Sequence, residues 1–178
     1  TLTALTLDVV KSSEIEGELL NYDQVRSSIA LRLGLPSAGL HPSNRHIEGV
    51  VEMMLDATQR HTKPLTEKRL FGWHAALFPT GFSGPYKIEV GQYRTTNIHV
   101  VSGAIGKEKV HFEAVKHALV QKEMDKFLDW FNHDHTLDLV LKAAIAHFWF
   151  IIIHPFGDGN GRIGRLLMNH ILWHKGCP

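Results

Sequence analysis

Apolar residues along this chain recur mostly at three- and four-residue intervals, a pattern that predicts a bundle of helices. Leu7 to Lys11 reads as the first helical stretch, and the acidic segment Ser12-Ser13-Glu14-Ile15-Glu16-Gly17-Glu18 follows it. Val25, Ile29 and Leu33 recur every four residues, which predicts a helix over Gln24–Leu33. Asp23 is its expected cap, Gly34 its left-handed stop, and Pro36 lies just beyond. A further helix is expected from about Ile47 to Gln59, with Val50, Val51, Met54 and Leu55 inward, and Thr66 is placed to cap Glu67–Leu77 ahead of Pro79. Met124, Phe127, Leu128, Trp130 and Phe131 mark the next, and Thr136 is the expected cap of one running through Leu139, Ala143, Ala144 and His147 to Ile151. That helix is apolar nearly all round, which predicts the buried axis of the bundle. Leu166 to Trp173 is one more amphipathic segment.

Phe82 to Gly106 breaks the helical pattern, with Gly and Pro as punctuation. Asn97-Ile98-His99-Val100-Val101 is β-branched, Ser102-Gly103-Ala104-Ile105-Gly106 can turn the chain, and Val110-His111-Phe112 can return it. One β-hairpin on an all-α bundle is therefore the expected fold. A two-stranded hairpin is marginal alone, so it must lean on the helices or receive a partner.

At 178 residues the chain fits one domain with a full core. A net charge of +1 argues against a nucleic-acid or membrane-surface binder, which carries a strong basic excess. One cysteine, Cys177, excludes a disulfide framework, so a reducing compartment, the cytoplasm, is the expectation. Thr1 to Val10 lacks the basic start of a signal peptide, and no apolar run is long enough to span a membrane. The start at Thr and the abrupt end at Pro178 suggest an excised core.

Chemistry concentrates in His154-Pro155-Phe156-Gly157-Asp158-Gly159-Asn160-Gly161-Arg162-Ile163-Gly164-Arg165. A loop this polar between two apolar segments is costly unless its groups meet partners, which points to a ligand. Gly159-Asn160-Gly161 directly before a helix can aim backbone N–H groups at one spot, where the helix end adds roughly half a positive charge. Arg162 and Arg165, three apart, reach the same region, and phosphate is the natural guest. Asp158 supplies the single carboxylate with which Mg²⁺ is commonly held beside phosphates. His154 is placed to accept a proton from an attacking hydroxyl.

Other motif readings fail on context. Gly159 to Gly164 matches G-x-G-x-x-G, but a helix rather than a strand precedes it, so a dinucleotide fold is not expected. A P-loop lacks its Gly-Lys-Ser/Thr, and an EF-hand would need a Gly where Ile163 stands. The 13 histidines show no zinc spacing, and most read as ordinary surface or helix-end residues.

With these residues in view, the loop resembles the signature of Fic (filamentation induced by cAMP) domains, H-P-F-x-[DE]-G-N-G-R-x-x-R, without departure. The resemblance extends essentially from Lys11 to Trp173 and includes Gly91-Gln92-Tyr93-Arg94 just before the hairpin. It implies a Fic-type helical bundle, with an N-terminal inhibitory segment and helix over 1–34 and one compact core over 35–178. It implies AMPylation: transfer of AMP from ATP to a Ser, Thr or Tyr hydroxyl of a protein, with Mg²⁺ as cofactor. In that pattern His154 is the base and Asp158 the Mg²⁺ ligand. Gly159, Asn160 and Gly161 form the anion hole, Arg162 and Arg165 grip the outer phosphates, and Phe156 anchors the loop. The hairpin, through Ile98, His99, Val100 and Val101, is the flap that docks an extended target segment, with self-modification as a further outcome.

Ser12 to Gly17 resembles the family's inhibitory motif, [ST]-x-x-x-E-[GN]. It implies that Glu16, supported by Ser12, pairs with Arg165 and keeps ATP in an unreactive pose. Two enzyme alternatives keep the same site: removal of AMP by a water that Glu16 orients, or transfer of another phosphate-containing group. An alternative of another class is a non-catalytic ATP sensor or a partner in an antitoxin complex, against which intact His154 and Asp158 argue. Nothing in the chain resembles the DNA-binding winged helix that many relatives carry.

Overall fold

The structure, a computed structural model, describes residues 2–36, 41–102 and 109–173, with only the backbone described for 99–102 and 109–112. Seven helices are found among them: α1 (Leu2–Ile15), α2 (Tyr22–Arg32), α3 (Arg45–Gln59), α4 (Glu67–Leu77), α5 (His117–His133), α6 (Leu139–Ile153) and α7 (Asn160–Leu172). Short strands β1 (Phe82–Ser83) and β2 (Tyr86–Lys87) pair antiparallel, as do β3 (His99–Ser102) and β4 (Lys109–Glu113). The bundle with a β3–β4 hairpin is the expected fold; the two-residue β1–β2 ladder is an addition that alternation could not show in so short a run.

Periodicity found the helices better than their ends. The first helix extends to Ile15, so Ser12 and Ser13 are helical, and Ser13 is buried with Leu5 and Val9 on its inner face. Asn21, not Asp23, caps α2 by accepting the Gln24 N–H, which leaves Asp23 inside the first turn. Asp138, not Thr136, caps α6 by accepting the Val140 N–H, while Thr136 donates to Asp134 in the preceding turn. Thr66 caps α4 as expected, and Gly34 takes the left-handed conformation beyond α2.

The helix at the centre of the packing is α3, which lies against α1, α2, α4 and α7. Its inward residues include Val50, Val51 and Met54, as predicted, whereas Leu55 is half-buried. The apolar α6 is not the buried axis. It packs on α5 and α7 with Ala143, Ala146, Phe150 and Ile153, and leaves Val140, Leu141 and Phe148 exposed. Uniform hydrophobicity hides which face a helix buries.

In the hairpin, Ile98 lies just before β3 rather than in it, and its carbonyl accepts the Ala114 N–H at 3.1 Å. The register shifts between Val100 and Val101, because Val100 faces Phe112 while Val101 faces Val110. His111 is the extra residue of that bulge. The turn expected at Gly103–Gly106 and Cys177 lie outside the described residues. No helix among the described residues is long and apolar enough to cross a membrane.

Candidate active site

The loop joining α6 to α7 starts with an unusual backbone. His154 ends α6 in the left-handed conformation, with φ of 51°, and it is the described non-glycine residue that does so. Arg94, buried, holds it there: its Nε donates to the His154 carbonyl at 2.7 Å and its backbone N–H to the Pro155 carbonyl at 2.9 Å. The same guanidinium donates to the carbonyls of Thr96 and Val115, the two residues that bracket the hairpin. One side chain thus ties the root of the β3–β4 hairpin to the head of the loop.

The His154 ring Nδ1 lies 3.3 Å from the Ile151 carbonyl. A carbonyl only accepts, so Nδ1 carries the proton and Nε2 the lone pair. Burial pulls the imidazole pKa below its ordinary value, which favours the neutral ring that a base requires.

Phe156 is fully buried and stacks on His74, with centroids 4.2 Å apart and planes 8° from parallel. Phe71, Tyr93 and Phe150 also pack their rings against it. Asn160 closes the loop from the other side: its Oδ1 accepts the Phe156 N–H at 3.0 Å and its Nδ2 donates to the Phe156 carbonyl at 2.8 Å. That side chain is spent internally, so what Asn160 can offer a ligand is its backbone N–H.

His74 was not singled out by motif, although it lies on the buried stripe of α4 with Leu70, Trp73 and Leu77. Its Nδ1 accepts the Gly91 N–H at 3.1 Å, so Nε2 holds the proton and donates to the Asp158 carbonyl at 3.2 Å. Protonating Nδ1 would break the first bond, and burial lowers this pKa from 6.5 to about 4. Between those values the unfolded chain binds a proton that the folded chain refuses. Stability therefore falls as pH drops through that window and levels off below it, by about 3 kcal/mol at most. Urea unfolding of wild type and His74→Phe should show it. The wild-type advantage should shrink from pH 7 to pH 4.5, and a constant difference counts against the assignment.

Asp158 is half-buried, its Oδ2 accepting the Ser83 hydroxyl from β1 and its Oδ1 facing the Gly159 N–H. Among the described residues there is no cluster of three or more His, Cys, Asp or Glu able to hold a metal unaided. A single carboxylate beside a helix N-terminus nevertheless fits Mg²⁺ of the kind that keeps waters and shares phosphate oxygens.

Helix α7 begins at Asn160, earlier than expected, with Gly159 as its cap at φ of 80°. The first backbone bond of the helix runs from the Ile163 N–H to the Gly159 carbonyl, so the amides of Asn160, Gly161 and Arg162 precede it. A methyl group at Gly161 would overlap the Glu16 carboxylate. The acidic segment therefore rests against this helix end.

Each arginine meets a different acid. Arg165 donates to Glu16 Oε1 at 2.6 Å, to Ser12 Oγ at 2.8 Å and to the Ser12 carbonyl at 2.9 Å. Arg162, only 4% exposed, donates to Glu18 at 2.7 Å, and its guanidinium lies over the Phe78 ring. The sequence singled out Glu16 and Ser12; Glu18, His74, Ser83 and the loop-holding role of Arg94 it did not.

Comparison with known proteins identifies the family. The chain belongs to the Fic/DOC family, whose model matches residues 64–172. A second model, a domain of unknown function (DUF4172), matches residues 1–35. The protein adenylyltransferase fic-1 of Caenorhabditis elegans is 39% identical over 177 residues, covering 97% of this chain and 32% of its own length. Protein adenylyltransferase Fic of Drosophila melanogaster is 30% identical over 173 residues, again covering 96% of this chain and 32% of its own. The chain thus spans about a third of the length of these curated relatives. A Fic-domain signaling protein from Bacteroides thetaiotaomicron superposes with a TM-score of 0.69 at 29% identity, over 97% of this chain and 64% of that one. A Fic family protein from Desulfovibrio desulfuricans gives 0.64 at 28%, over 98% and 49%.

Proposed function

We propose that the chain is a protein adenylyltransferase that moves AMP from ATP to a side-chain hydroxyl of a protein, held off by Glu16. The observation that supports it best is the loop itself. A neutral histidine with a free Nε2 lone pair stands at its head, and a helix N-terminus with two arginines stands at its foot. Relatives named protein adenylyltransferase share nearly the whole chain.

The target hydroxyl gives its proton to His154 Nε2 as its oxygen attacks the α-phosphorus. The bond from that phosphorus to the bridging oxygen of the β-phosphate breaks, and pyrophosphate leaves with the electron pair. The amides of Asn160, Gly161 and Arg162, the last in place of the expected Gly159, whose N–H faces Asp158 Oδ1, and the α7 dipole stabilise the charge that gathers on the α-phosphate oxygens. Arg162 and Arg165 bind the outer phosphates. Asp158 would hold Mg²⁺, which supplies charge neutralisation to the phosphates. The β3–β4 ladder leaves an edge on each strand where an extended target segment can add by backbone pairing.

The test is positional labelling with Mg²⁺ and the Glu16→Gly protein. Label in the α-phosphate of ATP should appear covalently on the enzyme itself or on an added target, and label in the γ-phosphate should not. Transfer of γ-label would replace this reading with a kinase. Release of AMP from premodified target by the wild type would make removal, not addition, the activity of the resting enzyme.

A further inference from the structure

We propose that Glu18 is a second inhibitory carboxylate, which occupies the loop's first arginine and is held in place by His46. The proposal rests on the reading above, in which nucleotide phosphates need Arg162 and Arg165, and deepens its regulation.

The end of α1 explains why two acids reach the loop from one short segment. The Glu18 N–H donates to the Ser13 carbonyl and the Gly17 N–H to the Glu14 carbonyl, the paired bonds of a Schellman cap. Gly17 is left-handed, with φ of 81°, and nothing lies where a Cβ would stand, so it is needed for its backbone rather than for space. That turn aims Glu16 and Glu18, on either side of Gly17, at Arg165 and Arg162.

The two contacts differ in environment. The Arg165 side chain is 24% exposed and water screens its pair with Glu16, whereas Arg162 is nearly sealed. Among the described residues Glu18 is the acceptor that Arg162 reaches, and the Arg162 Nε has none. A buried guanidinium with one carboxylate partner has donors to spare, and a phosphate group would satisfy more of them. Glu18 stands where that anion would go.

His46, in the first turn of α3, holds the carboxylate from the other side, its Nε2 3.0 Å from Glu18 Oε2, the oxygen that Arg162 also uses. The hydrogen bond to His46, ahead of the charge of Arg162, keeps the Glu18 carboxyl below the usual carboxylate range. Three elements, the end of α1, the start of α3 and α7, thus converge on one carboxylate. Removing Glu16 alone leaves this contact in place, so a nucleotide still has to displace it.

The experiment is calorimetric binding of the non-transferable analogue α,β-methylene-ATP with Mg²⁺ to wild type, Glu16→Gly, Glu18→Ala and the double variant. Glu18→Ala should tighten binding about tenfold in both backgrounds, the scale of a lost charge-assisted contact. His46→Ala should tighten it less, and should add nothing once Glu18 is gone, because it acts only through Glu18. Glu18→Gln, which keeps shape while removing charge, should fall between wild type and Glu18→Ala and decides the matter if the alanine variant does not fold. An unchanged or weakened affinity in the Glu18 variants overturns the proposal. Because binding of the analogue needs no transfer, absence of labelling in every variant would sink the adenylyltransferase reading while the affinities still judge Glu18.

Discussion

Replacing His154 by alanine should abolish AMP transfer, by about 10²–10⁴-fold, while leaving nucleotide binding intact. The ring is held by its backbone rather than by its tip. The N–H donates to the Phe150 carbonyl at 2.9 Å, Arg94 takes the carbonyl, and Nδ1 faces Ile151. Nothing in that arrangement involves the far end of the loop, where Arg162 and Arg165 stand. The left-handed backbone adds a complication, because histidine tolerates that conformation better than alanine does. Asparagine tolerates that conformation better and is no base, so His154→Asn is the control. Both variants should bind α,β-methylene-ATP like the parent, and both should fail to label from α-tagged ATP in the Glu16→Gly background. Labelling retained in either removes His154 from the chemistry. The pKa direction adds a check: because burial stabilises the neutral ring, the acid limb of the transfer rate should lie below the ordinary imidazole range.

The loop was legible because its residues are contiguous: histidine, carboxylate, glycines and arginines fall within twelve positions, and local sequence states their order. The contacts that hold it were not. His74 reaches Asp158, Ser83 reaches the same residue, and Glu18 reaches Arg162 across 84, 75 and 144 positions of chain. Periodicity describes each helix in isolation and says nothing of which helices meet. His74 left a faint trace, as a histidine on an apolar stripe, and Glu18 left none, since an acid after a helix reads as solvated. Two caps failed for a different reason. Asn21 and Asp23 are near neighbours of equal capping ability, and only the path of the preceding chain chooses between them, whereas at α6 the stronger capping residue, Asp138, takes the place expected of Thr136.

Glu16→Gly should raise α-label transfer about ten- to a hundredfold over wild type, with two separable causes. The first is the arginine. A charge-assisted contact of roughly 1.5–3 kcal/mol opposes the productive pose by that factor, and the 24% and 36% exposure of the two side chains places the ion pair alone near the lower end. The second is space. The Glu16 carboxylate lies so close to Gly161 that even a methyl group there would overlap it, and Gly161 contributes one of the amides at the α7 N-terminus. The acid therefore crowds the α7 N-terminus as well as occupying Arg165. Glu16→Gln tests the division, since it removes the charge and keeps the bulk. Glu16→Gln should recover only part of the gain, and the glycine variant all of it. Ser12→Ala should give a smaller rise of the same sign, because Arg165 keeps its bond to the Ser12 carbonyl when the hydroxyl is lost. Rates are measured as initial incorporation of α-label at saturating ATP and at low ATP. A wild type that labels as fast as Glu16→Gly under both conditions would leave the Glu16–Arg165 contact as mere packing.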